Sequence, residues 1–370
     1  MADRFPPAVI PLPDRRPSLV DDSLHDSSSE DSPTGLHVWL GGHCHWQPEA
    51  LTNAHAVILG ASGSGKTQTL KAIALSLHQQ QPDLRVRILD FHGDQSLPQE
   101  TVIPLHQCSP WGIAPLTVHP DPEGGGPGLQ AIAVAASLRR LLRLGPNQEG
   151  LLLTLFDQCY QHRGITTAEE TWGFEPPTFA DLERFLAMQA EAGLAEAKRL
   201  QLKLAALFRY GVFSRPQSES DQPLLRLDLC KLPPEIAALA AESFVAQELS
   251  NHRLNGEAEQ VKTVLFIDEA KELRGSSVLD RVLMDGRKYG LAIVLASQSE
   301  QHLSAEVLRN SATKVVLPVD QTEVRTVARR FRLSEDRLAK LQPLEALCRF
   351  GVQLRHVQIH PYWQRRGAES

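Results

Sequence analysis

The residues with the plainest chemistry are Gly60, Ala61, Ser62, Gly63, Ser64, Gly65, Lys66 and Thr67, which follow the pattern GxxxxGK[ST]. Glycines at this spacing let the backbone curl so that successive N–H groups point inward at phosphate oxygens. The positive end of a following helix adds to the attraction. Lys66 can then reach the β- and γ-phosphates of a nucleotide and the Thr67 hydroxyl can ligate Mg²⁺, with Gln68 next in line at the bound group. A second set is TVLFIDEA (263–270), an apolar run that ends in two adjacent acids. At the carboxyl end of a buried strand, Asp268 can hold Mg²⁺ through water, and Glu269 can orient and polarise a water for attack on a γ-phosphate. LAIVLASQ (291–298) places Gln298 at another strand end, where an amide can sense the γ-phosphate or position that water. Between the two runs, MDGRKYG carries Arg287, which can reach the γ-phosphate of a neighbouring subunit; Arg281 and Lys288 compete for that role.

These residues need elements to position them. AVILG (56–60) reads as a buried strand, and KTQTLKAIALSLHQQ (66–80) as the helix after the loop. RVRILD (85–90), LLRLDL (224–229), KTVLFIDEA (262–270), LAIVLASQ and KVVLPV (314–319) are further strands, mostly separated by helical segments. The alternation predicts an α/β fold with a mostly parallel sheet wrapped by helices. The middle differs. After the turn PDPEGGGPG (120–128) helical patterns dominate, and PPTFADLERF starts a helix with Thr178 as N-cap and Asp181 three residues on. Residues 125–220 therefore read as an all-α insertion into a core formed by 36–124 and 221–360, with 361–370 a flexible end.

Composition sets the frame. The chain has 370 residues, 38 Lys+Arg against 44 Asp+Glu, and a formal net charge of -6. At a prior of ~150 residues per domain this suggests two domains, or one large domain with an insertion. The mild acidity excludes coating nucleic acid by bulk charge, so any such contact must be local. No apolar run approaches ~18 residues and no secretory leader is seen, which predicts a cytoplasmic protein without a membrane span. Five dispersed cysteines (Cys44, Cys108, Cys159, Cys230, Cys348) form neither a disulfide framework nor a CxxC pair. Residues 1–35, proline-rich and then acidic and serine-rich (DDSLHDSSSEDSP), read as a disordered tail.

Smaller constellations carry weaker signals. His43, Cys44 and His45 suggest a metal, but adjacent ligands on so short a loop rarely close a tetrahedral site, and a turn is the plainer reading. His92 and Asp94 follow the second strand and can contact the site's water or metal. Two arginine groups can meet nucleic-acid phosphates or lie on solvated faces: Arg139, Arg140 and Arg143, and Arg325, Arg329, Arg330, Arg332 and Arg337.

Taken in order, GASGSGKT, RILDFHGD, LLRLDLCKLPPE, TVLFIDEAKEL, DGRKYGLAIVLASQ and NSATKVVLPVD resemble the HerA/FtsK superfamily of P-loop ATPases, in its HerA-like and conjugative-ATPase branch. The resemblance covers roughly 36–352. It implies a RecA-like core, MgATP hydrolysis at the interfaces of a homo-hexameric ring, and movement of double-stranded DNA through its pore. Lys66 and Thr67 match the phosphate and metal positions, Asp268 and Glu269 the acidic pair, Gln298 the strand-end sensor and Arg287 the arginine acting in trans. HerA-like members commonly carry a small β-barrel before the core, which helps assemble the ring and dock a nuclease partner. Here about twenty residues (36–55) precede the first core strand, too few for that barrel.

The leading expectation is thus a ring-forming, DNA-stimulated ATPase motor. The alternative is a nucleotide-controlled scaffold or switch in a defence, transposition or secretion complex. A small-molecule kinase fits less well, because Asp-Glu followed by a strand-end Gln suits water activation better than a bound acceptor hydroxyl.

Overall fold

The computed structural model describes residues 35–121, 125–218 and 221–365. The tail expected over 1–35 lies outside the described residues, apart from Gly35. An antiparallel hairpin, β1 (Val38–Gly41) and β2 (Cys44–Trp46), comes first. There follow β3 (Ala56–Leu59), α1 (Lys66–Gln80), β4 (Arg85–Asp90) and β5 (Thr101–Pro104). Four helices come next: α2 (Pro127–Leu142), α3 (Pro146–His162), α4 (Phe179–Glu191) and α5 (Ala195–Tyr210). The chain returns through β6 (Leu224–Asp228), α6 (Pro234–Leu254), β7 (Thr263–Ile267), α7 (Ser277–Asp285), β8 (Leu291–Ser297) and α8 (Ala305–Asn310). It finishes with β9 (Thr313–Val316), α9 (Val324–Phe331), α10 (Glu335–Ala339), β10 (Glu345–Phe350), β11 (Gln353–Gln358) and α11 (Tyr362–Arg365).

The main sheet has nine strands in the order β11-β10-β9-β3-β8-β7-β4-β6-β5. From β9 to β5 every neighbour pair is parallel, and only β10 and β11 pair antiparallel. Strands β3, β7 and β8 are buried along their whole length, which is why they read as unbroken apolar runs in sequence. The sheet is mostly parallel with helices against it, the RecA-like arrangement of P-loop proteins.

One sheet face packs against α1, the β1–β2 hairpin and Tyr362 of α11, with Ile58, Ile88, Val294 and Val315 pointing that way. On the other face, Leu59, Leu89, Ile267, Leu295 and Val316 join one continuous apolar core with α2–α7 and α9. The four helices between β5 and β6 therefore share the core of the sheet. Asp181 Oδ2 accepts from the Thr178 N–H (2.9 Å) at the start of α4, so this acid stabilises the helix start as the spacing suggests.

The hairpin carries Gly42 and His43 in its turn. Strand alternation buries Cys44 and Trp46 and leaves His43 and His45 exposed, so the three candidate metal ligands do not converge. His45 instead stacks on His37, with ring centroids 4.3 Å apart. Trp46 Nε1 donates to Thr313 Oγ1 (2.8 Å), and the His360 N–H donates to the Leu40 carbonyl (2.7 Å), so the hairpin is sewn to β9 and to the segment after β11.

The end of the chain is also more ordered than expected over 361–365. Tyr362 is buried, Lys71 Nζ sits 4.6 Å above its ring, and the Arg365 guanidinium donates to the carbonyls of Ala72 (3.3 Å) and Trp39 (2.6 Å). Aromatic burial and backbone hydrogen bonds hold a segment whose short sequence carries no periodicity.

Buried His55 accepts from the Ile293 N–H at Nδ1 (3.1 Å), and burial pushes its pKa down from 6.5 to about 4. A depressed histidine contributes stability that is full above the unfolded value and is lost as pH falls toward the folded one. Urea unfolding should therefore show stability falling between pH 6.5 and 4, by roughly 3 kcal/mol from this group. In His55→Asn, which keeps an acceptor but cannot titrate, that part of the pH dependence should vanish.

Candidate active site

Backbone geometry builds the phosphate loop. A Cβ at Gly60 would meet Ser64 Oγ at 2.4 Å and Leu317 Cβ at 2.8 Å, so only glycine fits there. Gly65 has φ +108°, and a Cβ on it would meet Leu344 Cδ2 at 2.5 Å. Helix α1 starts directly after it, with its free N–H groups facing the loop. Lys66 Nζ spans the loop, donating to the carbonyls of Gly60 (2.7 Å) and Ala61 (2.9 Å). Burial lowers its pKa, while Glu269 and Asp94 oppose that shift.

Acids converge from the neighbouring strands. Asp268 stands just beyond the end of β7 and Asp90 closes β4; Asp94 lies in the turn that follows β4. Ligand oxygens of Asp90, Asp94 and Asp268 all lie within 4.8 Å of one another. Asp90 is fully satisfied: Oδ1 accepts from the N–H groups of His92 (3.2 Å) and Gly93 (2.7 Å), and Oδ2 from Gln95 N (3.2 Å) and Arg226 Nη1 (3.0 Å). Asp268 is not. Its Oδ1 accepts from Phe91 N (3.2 Å), but buried Oδ2 has no hydrogen-bond partner. Desolvation, then the charge of Asp90, raises the Asp268 pKa well above the usual carboxylate value. Thr67 Oγ1 donates to Asp94 Oδ2 (3.1 Å), which brings the loop hydroxyl to the same place. A hydroxyl and carboxylate oxygens, one of them buried and unpaired, are the donor set of a hard divalent cation such as Mg²⁺.

Beside this group lies a second polar set. Glu269 is buried, and its Oε2 accepts from Gln298 Nε2 (3.1 Å) and lies 3.6 Å from His92 Nε2. Lys271 N–H approaches its Oε1 at 3.4 Å. Ser62, Lys66, Thr67, Asp94, Asp268 and Gln298 line one cleft. The structure thus gathers the loop residues, Asp268, Glu269 and Gln298, together with the His92/Asp94 dyad.

Arg287 falls elsewhere. It sits just before β8, at the amino end of a strand whose carboxyl end carries Gln298. It is therefore on the sheet edge opposite its own phosphate loop, exposed, and its side chain makes no hydrogen bond or ion pair among the described residues. Its competitors are engaged differently. Lys288 pairs with Glu257 (3.1 Å), and Arg281 lines a separate cleft between α2, α6 and α7 that holds none of the residues above. Of the arginine groups, Arg139 pairs with Glu149 (2.8 Å), Arg140 with Glu242 and Arg330 with Glu300. Arg143, Arg325, Arg329, Arg332 and Arg337 remain exposed.

Sequence reasoning missed Leu344 and Trp363 at this cleft, and Asp90 with its partner Arg226 beside Asp268. Asp90 gave the same signal as Asp268, an acid at the end of an apolar strand. The others come close only through tertiary structure.

Two family models match the chain: the central domain of helicase HerA over residues 47–102, and the DNA-binding domain of type IV secretion-system coupling proteins over residues 235–329. The first spans the phosphate loop and Asp90, and the second spans Asp268, Glu269, Arg287 and Gln298. The matched stretches are thus similar to those of HerA-type helicases and of type IV secretion-system coupling proteins. Among solved structures, VirB4 of Thermoanaerobacter pseudethanolicus superposes with a TM-score of 0.73 at 22% identity, covering 84% of this chain and 90% of that one. The bacterial conjugative coupling protein TrwBΔN70, in complex with sulphate, gives 0.59 at 19% identity over 83% and 85%. Plasmid coupling protein TrwB in complex with ADP and Mg²⁺ gives 0.60 at 16% identity over 83% and 85%. At these identities the likeness establishes the fold. No curated protein sequence matches this chain.

A raised carboxyl pKa contributes stability below 3.8 that is lost as pH rises through the folded value, so at pH 7 the Asp268 charge is a cost. Asp268→Asn keeps the acceptor for Phe91 N and removes that charge. In chelator at pH 7 its melting temperature should exceed wild type by a few degrees. An equal or lower value would contradict the arrangement.

Proposed function

We propose that this protein is a HerA/FtsK-type, ATP-driven motor that hydrolyses MgATP while gripping nucleic acid, working as a ring of copies on double-stranded DNA. One observation carries the hydrolytic part: buried Glu269 accepts from Gln298 Nε2 at 3.1 Å, and Gln298 lines the same cleft as Lys66, Thr67 and Asp268. The loop N–H groups hold the β- and γ-phosphates, and Lys66 exchanges its bonds to Gly60 and Ala61 for phosphate oxygens. Thr67 and Asp268, with Asp94 and Asp90 behind them, would hold Mg²⁺, which offsets charge on the phosphates when bound. Glu269 accepts a proton from a water that Gln298 helps to orient. That water attacks the γ-phosphorus, the bond to the bridging oxygen breaks, and ADP and phosphate result.

Oligomerisation and DNA rest on different features. Arg287 lies on the far sheet edge, with no side-chain partner among the described residues, so it is available to a neighbouring copy and cannot serve its own loop. The two family descriptions concern a helicase and a DNA-binding domain, which supports nucleic acid as the polymer. Ion pairing of Arg139, Arg140 and Arg330 favours the second reading, a slow nucleotide-controlled switch in a defence, transposition or secretion complex, because it leaves fewer cations for phosphate contacts.

Variants of the two central residues test the chemistry. Lys66→Ala should abolish MgATP binding. Glu269→Gln should bind MgATP normally and turn over at least about a hundredfold more slowly. Unchanged turnover in Glu269→Gln would remove the assigned base. In the wild type, duplex DNA should raise the ATPase rate, with an effect that weakens steeply as salt is added. A rate indifferent to DNA would favour the switch. Arg287→Ala should slow turnover without weakening nucleotide binding to a single subunit.

A further inference from the structure

The nucleotide cleft has two unlike walls, and the sheet order fixes which is which. β8, β7 and β4 lie on one side of the loop strand β3, and bring Gln298, Glu269, Asp268, Asp90 and Asp94. On the other side lie β9, β10 and β11. From that side Pro343 and Leu344, just before β10, and Trp363, just after β11, reach the same cleft. This second wall is apolar.

Both of its main residues are held deliberately. Leu344 has φ +68°, a conformation that costs a bulky residue energy and persists only where the surroundings enforce it. Here the Leu344 N–H donates to the Ser64 carbonyl (2.9 Å) and the Leu344 carbonyl accepts from Ile359 N (2.7 Å), which press the side chain against Gly65. Trp363 sits on α11, which buried Tyr362 and the Arg365 contacts fasten to α1, the helix that begins with Lys66 and Thr67. Yet the Trp363 side chain itself is left 53% exposed at the cleft. A large ring anchored through its neighbours and open on one side is a platform for another flat apolar group.

We propose that Trp363 stacks on the base of the bound nucleoside triphosphate, with Leu344 and Pro343 completing the base slot. This rests on the nucleotide reading above. Because the acids and the water-handling residues occupy the β8–β7–β4 side, the γ-phosphate faces that way. The β-phosphate lies in the loop, so the nucleoside extends toward the opposite wall. Stacking requires only a π-face on the ligand, so the slot takes a nucleobase as a class and adds affinity that the phosphates do not supply.

The test separates the base from the phosphates. Calorimetry on the full chain would compare MgATP with magnesium tripolyphosphate, which has the phosphate chain and no base. Trp363→Ala should weaken MgATP binding by about 10- to 100-fold, leave tripolyphosphate binding unchanged, and so report an intact loop. Trp363→Phe should restore MgATP affinity to within a few-fold of wild type. Trp363→Ala binding MgATP like wild type would overturn the base slot while the nucleotide reading stands. Equal loss of both ligands would also overturn it, by showing that Trp363 acts through the loop's structure. A wild type that binds neither ligand would instead overturn the nucleotide reading, and the base slot with it.

Discussion

Several carboxylates are brought out of water at neighbouring strand ends, and most of the fold can be understood as a response to that constraint. Asp90 and Asp268 are almost completely buried, and unpaired charges so placed would cost several kcal/mol each. Asp90 is neutralised internally. The guanidinium of Arg226 on β6 bridges it to Glu100, and turn N–H groups fill its remaining positions. Asp268 receives one backbone hydrogen bond and little else. The saturated carboxylate sets the shape of the turn carrying His92 and Asp94, and the unsaturated one keeps a buried oxygen without a hydrogen-bond partner.

The same logic explains the parallel sheet. A parallel strand ends where its crossover begins, so loops after β3, β4, β7 and β8 all open on one edge. Phosphate loop, acids and sensor amide thus arrive together without any of them being near the others in sequence. Arg287, placed before β8 instead of after it, is excluded from that edge by the same rule. A residue's position relative to its strand decides whether it can serve its own subunit.

Legibility in the sequence followed the range of the interactions. The phosphate loop, α1 and the buried strands β3, β7 and β8 were readable because their signals are local: glycine spacing, helical periodicity, unbroken apolar runs. Asp268, Glu269 and Gln298 were readable as strand-end residues. β11 was not, since nearly all of its side chains are exposed, and β5 is too short and too polar at its edge to stand out. The link between Arg226 and Asp90 joins residues 136 positions apart, and nothing in either segment announces the other. Leu344 and Trp363 carry no motif at all. Their importance depends on an approach to Gly65 and α1 that only the closed sheet creates. His43, Cys44 and His45 do not converge for a simpler reason, since a strand turns alternate residues to opposite faces.

The antiparallel return through β10 and β11 has a consequence for how the protein is made. A ribosome that has passed β8 by one residue has already synthesised the glycine-rich loop, Asp90, Asp94, Asp268, Glu269 and Gln298. What it has not yet made is the wall that contributes Leu344 and Trp363, or Ile359, just after β11, whose N–H donates to the Leu344 carbonyl. The emerging polypeptide therefore carries a loop able to attract phosphate before it has a complete pocket. On the base slot proposed above, the nucleoside side of the cleft takes shape only after β11 has paired with β10.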